Sequence, residues 1–160
     1  MELFWKSEPA VRISGGESIR GLAQDFNIST KTTSPYLSNL TNNILLDRPK
    51  EYQSLVGRLL FVARMWRPDI LYVVGTPCTK SSKATGGDWQ KALHVVKYLF
   101  GTADEGIEIT PWDLSMPVEV FTDAGEEKLE EKATTGILVR TGASLVDKKA
   151  RCNRLVIYRG

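Results

Sequence analysis

The stretch Glu51-Tyr52-Gln53-Ser54-Leu55-Val56-Gly57-Arg58-Leu59-Leu60-Phe61-Val62-Ala63-Arg64-Met65-Trp66 decides how the chain folds. Leu55, Val56, Leu59, Leu60, Ala63 and Trp66 recur at helical spacing, so one face of an α-helix is apolar. Pro68 ends that helix, because proline has no amide to donate and its ring clashes with the turn before it. Asp69 and Ile70 open a shorter helix that runs to about Gly75-Thr76-Pro77.

A third helix is read over residues 88–100, with Trp89, Leu93, Val96 and Phe100 as its buried stripe and Ala92 and Leu99 beside it. Asp88 is the expected N-cap, since its carboxylate can accept the free amides of the first turn. Gly101 is the expected left-handed C-cap. Upstream, residues 10–13 read as a short strand ending at Gly15-Gly16. Residues 18–26 read as a short helix with Ile19, Leu22, Ala23 and Phe26 on one face, and residues 29–49 as a loop rich in Ser, Thr and Asn. After Gly101 the pattern changes to strands: residues 106–110, 118–123, 135–140, a third beginning at 143–146, and an extended piece at 155–158. The expected fold is mixed α/β, a helical segment over residues 1–103 followed by an incomplete β-meander over residues 104–160. No internal repeat is visible.

Of the 160 residues, 42% are hydrophobic, which excludes wholesale disorder. The net charge of +2 is neutral on the question of nucleic acid, but its distribution is uneven. Residues 48–97 hold nine Lys or Arg against three acids, whereas residues 104–131 hold ten acids and only Lys128. From Lys132 onward the sign turns basic again, so a polyphosphate could meet either basic segment; the plainer reading is ordinary solvated helix faces. Cys78 and Cys152 form no metal-ligand spacing and read as reduced thiols of an intracellular protein, cytoplasmic or nuclear and not secreted. No apolar run is long enough to span a bilayer, and the first residues do not form a signal peptide.

Two phrases then stand out. Tyr52-Gln53-Ser54-Leu55-Val56-Gly57-Arg58-Leu59-Leu60-Phe61 is followed by Arg67-Pro68-Asp69-Ile70, and Trp89-Gln90-Lys91-Ala92-Leu93-His94-Val95-Val96-Lys97-Tyr98-Leu99-Phe100-Gly101-Thr102 by Gly106-Ile107. Phe121-Thr122-Asp123-Ala124, Lys132-Ala133-Thr134-Thr135-Gly136 and Asp147-Lys148-Lys149 continue the series in order. Together these resemble the Ty1/copia-type retrotransposon Pol polyprotein, from the end of reverse transcriptase into the start of ribonuclease H, over roughly residues 20–150.

The resemblance implies a thumb- or connection-like helical segment that grips an RNA–DNA hybrid, then a truncated ribonuclease H-like meander. The intact relative would support RNA-templated DNA synthesis and removal of the RNA strand. Its nuclease would use clustered carboxylates to hold two Mg²⁺ ions. Asp123 matches the first of those carboxylates and is the candidate catalytic and metal residue, as a vestige. No adjacent Asp-Asp pair occurs in the chain, Gly125 replaces a second family aspartate, and residues 150–160 lack the family's Glu-bearing helix. The expectation is a fragment or degenerate remnant without catalysis of its own, and with no Mg²⁺ bound by this chain alone. Its partners would be an RNA–DNA hybrid or the rest of a Pol polyprotein, with no membrane. A domesticated nucleic-acid-binding module and a small protein-interaction protein are the alternatives.

Arg58, Arg64, Lys91, Lys97, Lys148 and Lys149 are the candidate nucleic-acid-binding residues, because basic side chains read phosphate and not sequence. The plainer reading is that they surround a helical core with their stems along it. Arg67 and Asp69 flank Pro68 and are expected to fix the helix junction. His94, with no second ligand nearby, is expected at the edge of its helix's core face, and Trp66 and Trp89 inside the core. The glycines form no phosphate-cradling loop. Glu126, Glu127, Glu130 and Glu131 read as a solvated acidic run.

Overall fold

The computed structural model describes residues 2–5, 11–38, 40, 42–47, 49–79, 83–109, 118–127, 132–141 and 144–152; along 2–5, 76–79, 109, 123–127, 132–136, 140–141 and 144–152 it describes the backbone alone. Two strands, β1 (Glu2–Trp5) and β2 (Val11–Ser14), lead into α1 (Gly16–Asp25). After a long loop come α2 (Pro49–Met65), a 3-10 turn (Pro68–Ile70), α3 (Leu71–Thr79) and α4 (Gly86–Gly101). Four strands follow: β3 (Gly106–Ile109), β4 (Val118–Glu127), β5 (Lys132–Thr141) and β6 (Ser144–Cys152). The chain is therefore mixed α/β, with two three-stranded antiparallel sheets ordered β1-β2-β3 and β4-β5-β6.

The helical periodicity of the central stretch is reproduced. Leu55, Val56, Leu59 and Ala63 are buried on α2, joined by Tyr52 and Val62, and Leu60 is partly buried. Pro49 opens the helix, where its fixed φ fits and its missing amide has no partner to lose. Helix α1 contributes Ile19, Leu22 and Ala23, α3 contributes Val74, and α4 contributes Ala92, Val95, Val96 and Leu99. Each large apolar side chain so buried stabilises the fold by roughly 1.5–3 kcal/mol relative to exposure. Phe26 and Trp89 close the edge of this core as a T-shaped pair with ring centroids 5.8 Å apart.

Three local expectations need correction. The N-cap of α4 is Thr85, not Asp88. Asp88 sits at the third helical position, and the two side chains form a reciprocal box: the Asp88 amide donates to the Thr85 hydroxyl at 3.3 Å, and the Thr85 amide donates to the Asp88 carboxylate at 2.9 Å. Gly101 is not a left-handed cap. It is the last residue of α4, and Thr102 follows as C-cap with φ −124°. The Thr102 hydroxyl donates to the Tyr98 carbonyl at 2.9 Å, so the helix end is closed by a side chain and needs no glycine geometry. Finally, α3 passes the end expected at about Gly75-Thr76-Pro77 by two residues and runs to Thr79.

The strand β3 pairs antiparallel with β2, Ile13 opposite Ile107, and so belongs to the N-terminal sheet and not to the strands that follow it. The β4-β5-β6 meander has the expected order, with Asp123 opposite Gly136 and an irregularity between Val139 and Arg140. Val118, Val120, Phe121 and Leu138 of this sheet are exposed. Strand alternation puts Val118 and Val120 on one face, and Phe121 with its partner Leu138 on the other. The extended piece expected at residues 155–158 lies outside the described residues.

Trp66 is 2% exposed and its indole packs against Gly15, where strand β2 gives way to α1. A Cβ at Gly15 would stand 2.1 Å from Trp66 Cε2. The glycine is required by that approach and not by its backbone, whose φ of −140° any residue adopts. Gly15→Ala is expected to lower stability by about 1–3 kcal/mol through forced displacement of the indole, measurable by chemical denaturation; an unchanged midpoint would show that the tryptophan moves freely.

Candidate nucleic-acid interface

Helix α2 ends at Met65, and Arg67 caps the 3-10 turn that follows. Its side chain is only 2% exposed. A guanidinium in that position must find partners for its donors, and it finds them on both sides of the Pro68 break. Nε donates to Asp69 Oδ1 at 2.9 Å and Nη2 to Oδ2 at 2.7 Å, a two-pronged pair. Nη1 donates to the Thr102 carbonyl at 2.8 Å, Nη2 lies 3.6 Å from Glu105 Oε2, and the guanidinium stands 5.2 Å from the centre of the Tyr98 ring. The Tyr98 hydroxyl in turn donates to Asp69 Oδ2 at 2.9 Å. The expected role of Arg67 and Asp69 at the helix junction is thus what the geometry shows, and it extends 35 residues along the chain to the end of α4.

Burial raises the Asp69 pKa, but the hydrogen bonds and positive charge of Arg67 outweigh it, and the carboxyl lies below its ordinary value. Burial likewise opposes the charged form of Arg67, and Asp69 more than offsets that. Tyr98 is raised, first by burial and then by its hydrogen bond to Asp69. Two further arginines fasten the same turn. Arg20 on α1 donates to Asp104 Oδ1 at 3.0 Å as well as to Glu17, and Arg12 on β2 donates to the Asp104 carbonyl. Asp104, Glu105 and Tyr98 were not singled out from the sequence. Their partners lie 29 to 92 positions away, and no local pattern carries that pairing.

The candidate phosphate-binding residues are distributed over several faces. Arg58 on α2 is paired to Asp25 of α1, Nη1 to Oδ2 at 2.6 Å, with both side chains partly exposed. Arg64 is exposed on the same helix. The two are six positions apart, which on a helix is a rotation of roughly 120°. Lys91 and Lys97 on α4 are half-buried and have the same spacing. Neither helix therefore gathers its two cations into one stripe. Lys148 and Lys149 lie on β6 opposite Leu138 and Ile137, and Asp123 lies on β4; their side chains are outside the described set. His94, half-buried at the edge of α4, is within 3.0 Å of the Ser34 carbonyl through Nε2 and so holds the preceding loop. Among the described residues, no three His, Cys, Asp or Glu side chains gather in a way that would hold a metal ion, and no helix is long and apolar enough to cross a membrane.

The pairing of Arg67 with Asp69 makes stability depend on pH. A carboxyl with a depressed folded-state pKa stabilises the fold above its ordinary pKa of about 4 and loses that contribution as pH falls through the depressed value. Arg67→Ala should cost roughly 2–4 kcal/mol at pH 7, because it strands the Thr102 carbonyl and the Asp69 carboxylate together. Asp69→Asn should cost less and flatten the acid limb of the stability curve. Denaturation from pH 7 into acid would check both; an Asp69→Asn curve parallel to the wild type in acid would refute the assignment.

Comparison with known proteins places this geometry in context. The chain is 33% identical over 92 residues to the Retrovirus-related Pol polyprotein from transposon RE2 of Arabidopsis thaliana, an alignment covering 58% of this chain and 6% of that polyprotein. It is 27% identical over 105 residues to an uncharacterized mitochondrial protein of the same plant, covering 64% of this chain and 43% of that protein. The chain thus spans less than half the length of either relative. No protein-family model and no solved structure matches it. What the similarity establishes is a distant relationship, at 27–33% identity, to a retrotransposon Pol polyprotein and to a second plant protein.

Proposed function

We propose that the chain is a segment of a retroelement Pol polyprotein, corresponding to the helices after the polymerase palm and the first strands of ribonuclease H. In this reading it binds RNA–DNA hybrid and performs no chemistry by itself. The observation that carries the reading is the 33% identity over 92 residues to a Pol polyprotein. The helices supply the contact surface. Arg64, Lys91 and Lys97 project from α2 and α4 as phosphate ligands, joined by Lys148 and Lys149 from β6. Asp123 is the trace of the first metal-holding carboxylate. Magnesium in the intact relative would activate water at such a site, and Asp123 by itself offers too few oxygens for the near-octahedral shell that Mg²⁺ demands.

The exposed Val118, Val120, Phe121 and Leu138 favour a second role for the strand segment, contact with the remainder of a polyprotein. In isolation those side chains should drive self-association. Light scattering should fall when Val120 and Phe121 are both replaced by Thr, and an unchanged signal would sink this role.

Hybrid binding is tested by titrating the purified chain with a fluorescent RNA–DNA hybrid across a salt series, with and without Mg²⁺. The expected result is affinity that falls steeply with salt, as phosphate contacts release counterions, and no strand cleavage. Replacing Arg64, Lys91 or Lys97 by Ala should each weaken binding and reduce the salt slope by about one unit. A folded chain that does not bind at low salt, or magnesium-dependent hydrolysis by the pure chain, would overturn the proposal.

A further inference from the structure

The long loop between α1 and α2 runs along α4, from the last turn of that helix to its first. At one end the Lys31 ammonium lies 5.5 Å from the centre of the Phe100 ring. Midway, the Ser34 carbonyl accepts from His94 Nε2 at 3.0 Å. At the other end the Gly87 and Gly86 amides donate to the carbonyls of Asn42 and Ile44 at 2.9 and 2.8 Å. The loop is thus a strap, and Ser34 is an exposed residue near its middle, outside any helix or strand. Its hydroxyl oxygen accepts the Tyr36 amide at 3.2 Å. Pro35 follows directly, offers no amide and biases Ser34 toward extended backbone. The chain holds three Ser-Pro or Thr-Pro pairs. Thr76-Pro77 is wound into α3, and Thr110 lies outside the described residues. Charge around the strap is one-sided. Residues 29–46 contain no acid, and the sole acid of α4, Asp88, is engaged by Thr85 at the start of the helix. Lys91 and Lys97 stand three positions on either side of His94, each about 60° round the helix from it.

We propose that Ser34 is a phosphorylation site for a proline-directed serine/threonine kinase, and that α4 captures the phosphate and locks the strap. In the modification Ser34 Oγ attacks the γ-phosphorus of a nucleoside triphosphate. The Oγ–P bond forms, and the bond from that phosphorus to the bridging oxygen breaks. The hydroxyl proton passes to a base of the kinase, and nucleoside diphosphate leaves. An extended acceptor on an exposed loop, followed by a residue without an amide, is what such an enzyme needs, and Ser34 supplies it. The phosphoserine carries a charge of about −1.5 to −2 at pH 7 and three strong acceptor oxygens. The charges on the strap and on the turns of α4 beneath it are all positive: Lys31, Lys91 and Lys97. Lysine stems are flexible enough to bring their ammonium groups to a new phosphate. The unmodified strap is tied at this point by the single bond from His94, and the phosphate adds charge-assisted bonds to it. The inference concerns the strap and its helix, and it stands apart from the hybrid-binding reading.

The test incubates the folded full chain with a proline-directed serine/threonine kinase and magnesium ATP, and places the phosphate by peptide mass spectrometry. Phosphate is expected at Ser34. It should be retained in Ser34→Thr and absent from Ser34→Ala and Pro35→Ala, with each variant shown to be folded by its thermal transition. At low salt the phosphorylated chain should melt about 2–4 °C higher than the unmodified one, and the difference should shrink as salt screens it. The double variant Lys91→Ala with Lys97→Ala should accept phosphate equally and lose that rise. A folded chain that stays unmodified, or that takes phosphate at Thr76 or Thr110 and not at Ser34, overturns the site. Phosphate at Ser34 with an unchanged or lowered midpoint, or a rise that persists in the double variant, overturns capture by α4 and leaves the modification standing.

Discussion

A guanidinium sealed from water governs how the helical segment closes. Arg67 is one of two buried polar or charged residues among those described, and an unpartnered charge in that place would be strongly destabilising. Its donors can be satisfied together only if four pieces of chain meet: the exit of α2, the 3-10 turn bearing Asp69, the last turn of α4 bearing Tyr98 and Thr102, and the approach to β3 at Glu105. The break at Pro68 is what allows this. It lets the chain leave α2 so that Asp69 faces back toward Arg67, only two residues earlier, in a fork no continuous helix would permit. Once the end of α4 is fastened there, β3 can run back along β2 and complete the first sheet.

Much of this was legible, and the division between what was and was not has a physical cause. The three main helices follow from apolar spacing, which is a local property of α1, α2 and α4, and the helix break follows from Pro68 itself. The strands β2 to β6 match runs read from the sequence, whereas β1 at Glu2–Trp5 carries no pattern that marked it. The caps were misread because two residues compete for each role. Thr85 and Asp88 are both good caps, and only the reciprocal bonds decide that the first is the cap and the second its partner. At Gly101 the sequence pattern matched a glycine cap, but the amide and hydroxyl of Thr102 both donate to the Tyr98 carbonyl and close the helix end. The pairing of β2 with β3 and the partners of Arg67 join residues far apart in the chain. Neither leaves any mark in a window of a dozen residues.

The same distinction separates the candidate site from the scaffold. The sequence offers Arg58 and Arg64 alike as candidates for phosphate and says nothing of Arg12 and Arg20. In the fold, Arg12, Arg20 and Arg67 converge on the turn of residues 102–105, and Arg58 ties α2 to α1. These residues fasten elements together. Arg64 is exposed, and Lys91 and Lys97 are half-buried on α4, so the positive surface of the helical segment rests on fewer residues than the composition suggests.

That economy bears on what the segment does. Scattered cations on different helix faces attract a polyanion but do not orient it, because a phosphate contact is the same at every nucleotide. Orientation needs a shaped surface of mixed chemistry. Beside the cations of α2, Gly57 presents no side chain and a T-shaped contact with Trp66 steadies the exposed Phe61. Trp66 is fixed against Gly15 by the same packing that joins β2 to α1. The exposed aromatic is therefore positioned by the core and not by its neighbours on the surface. Rigidity that begins at a buried junction reaches the outer face of α2 through one indole ring.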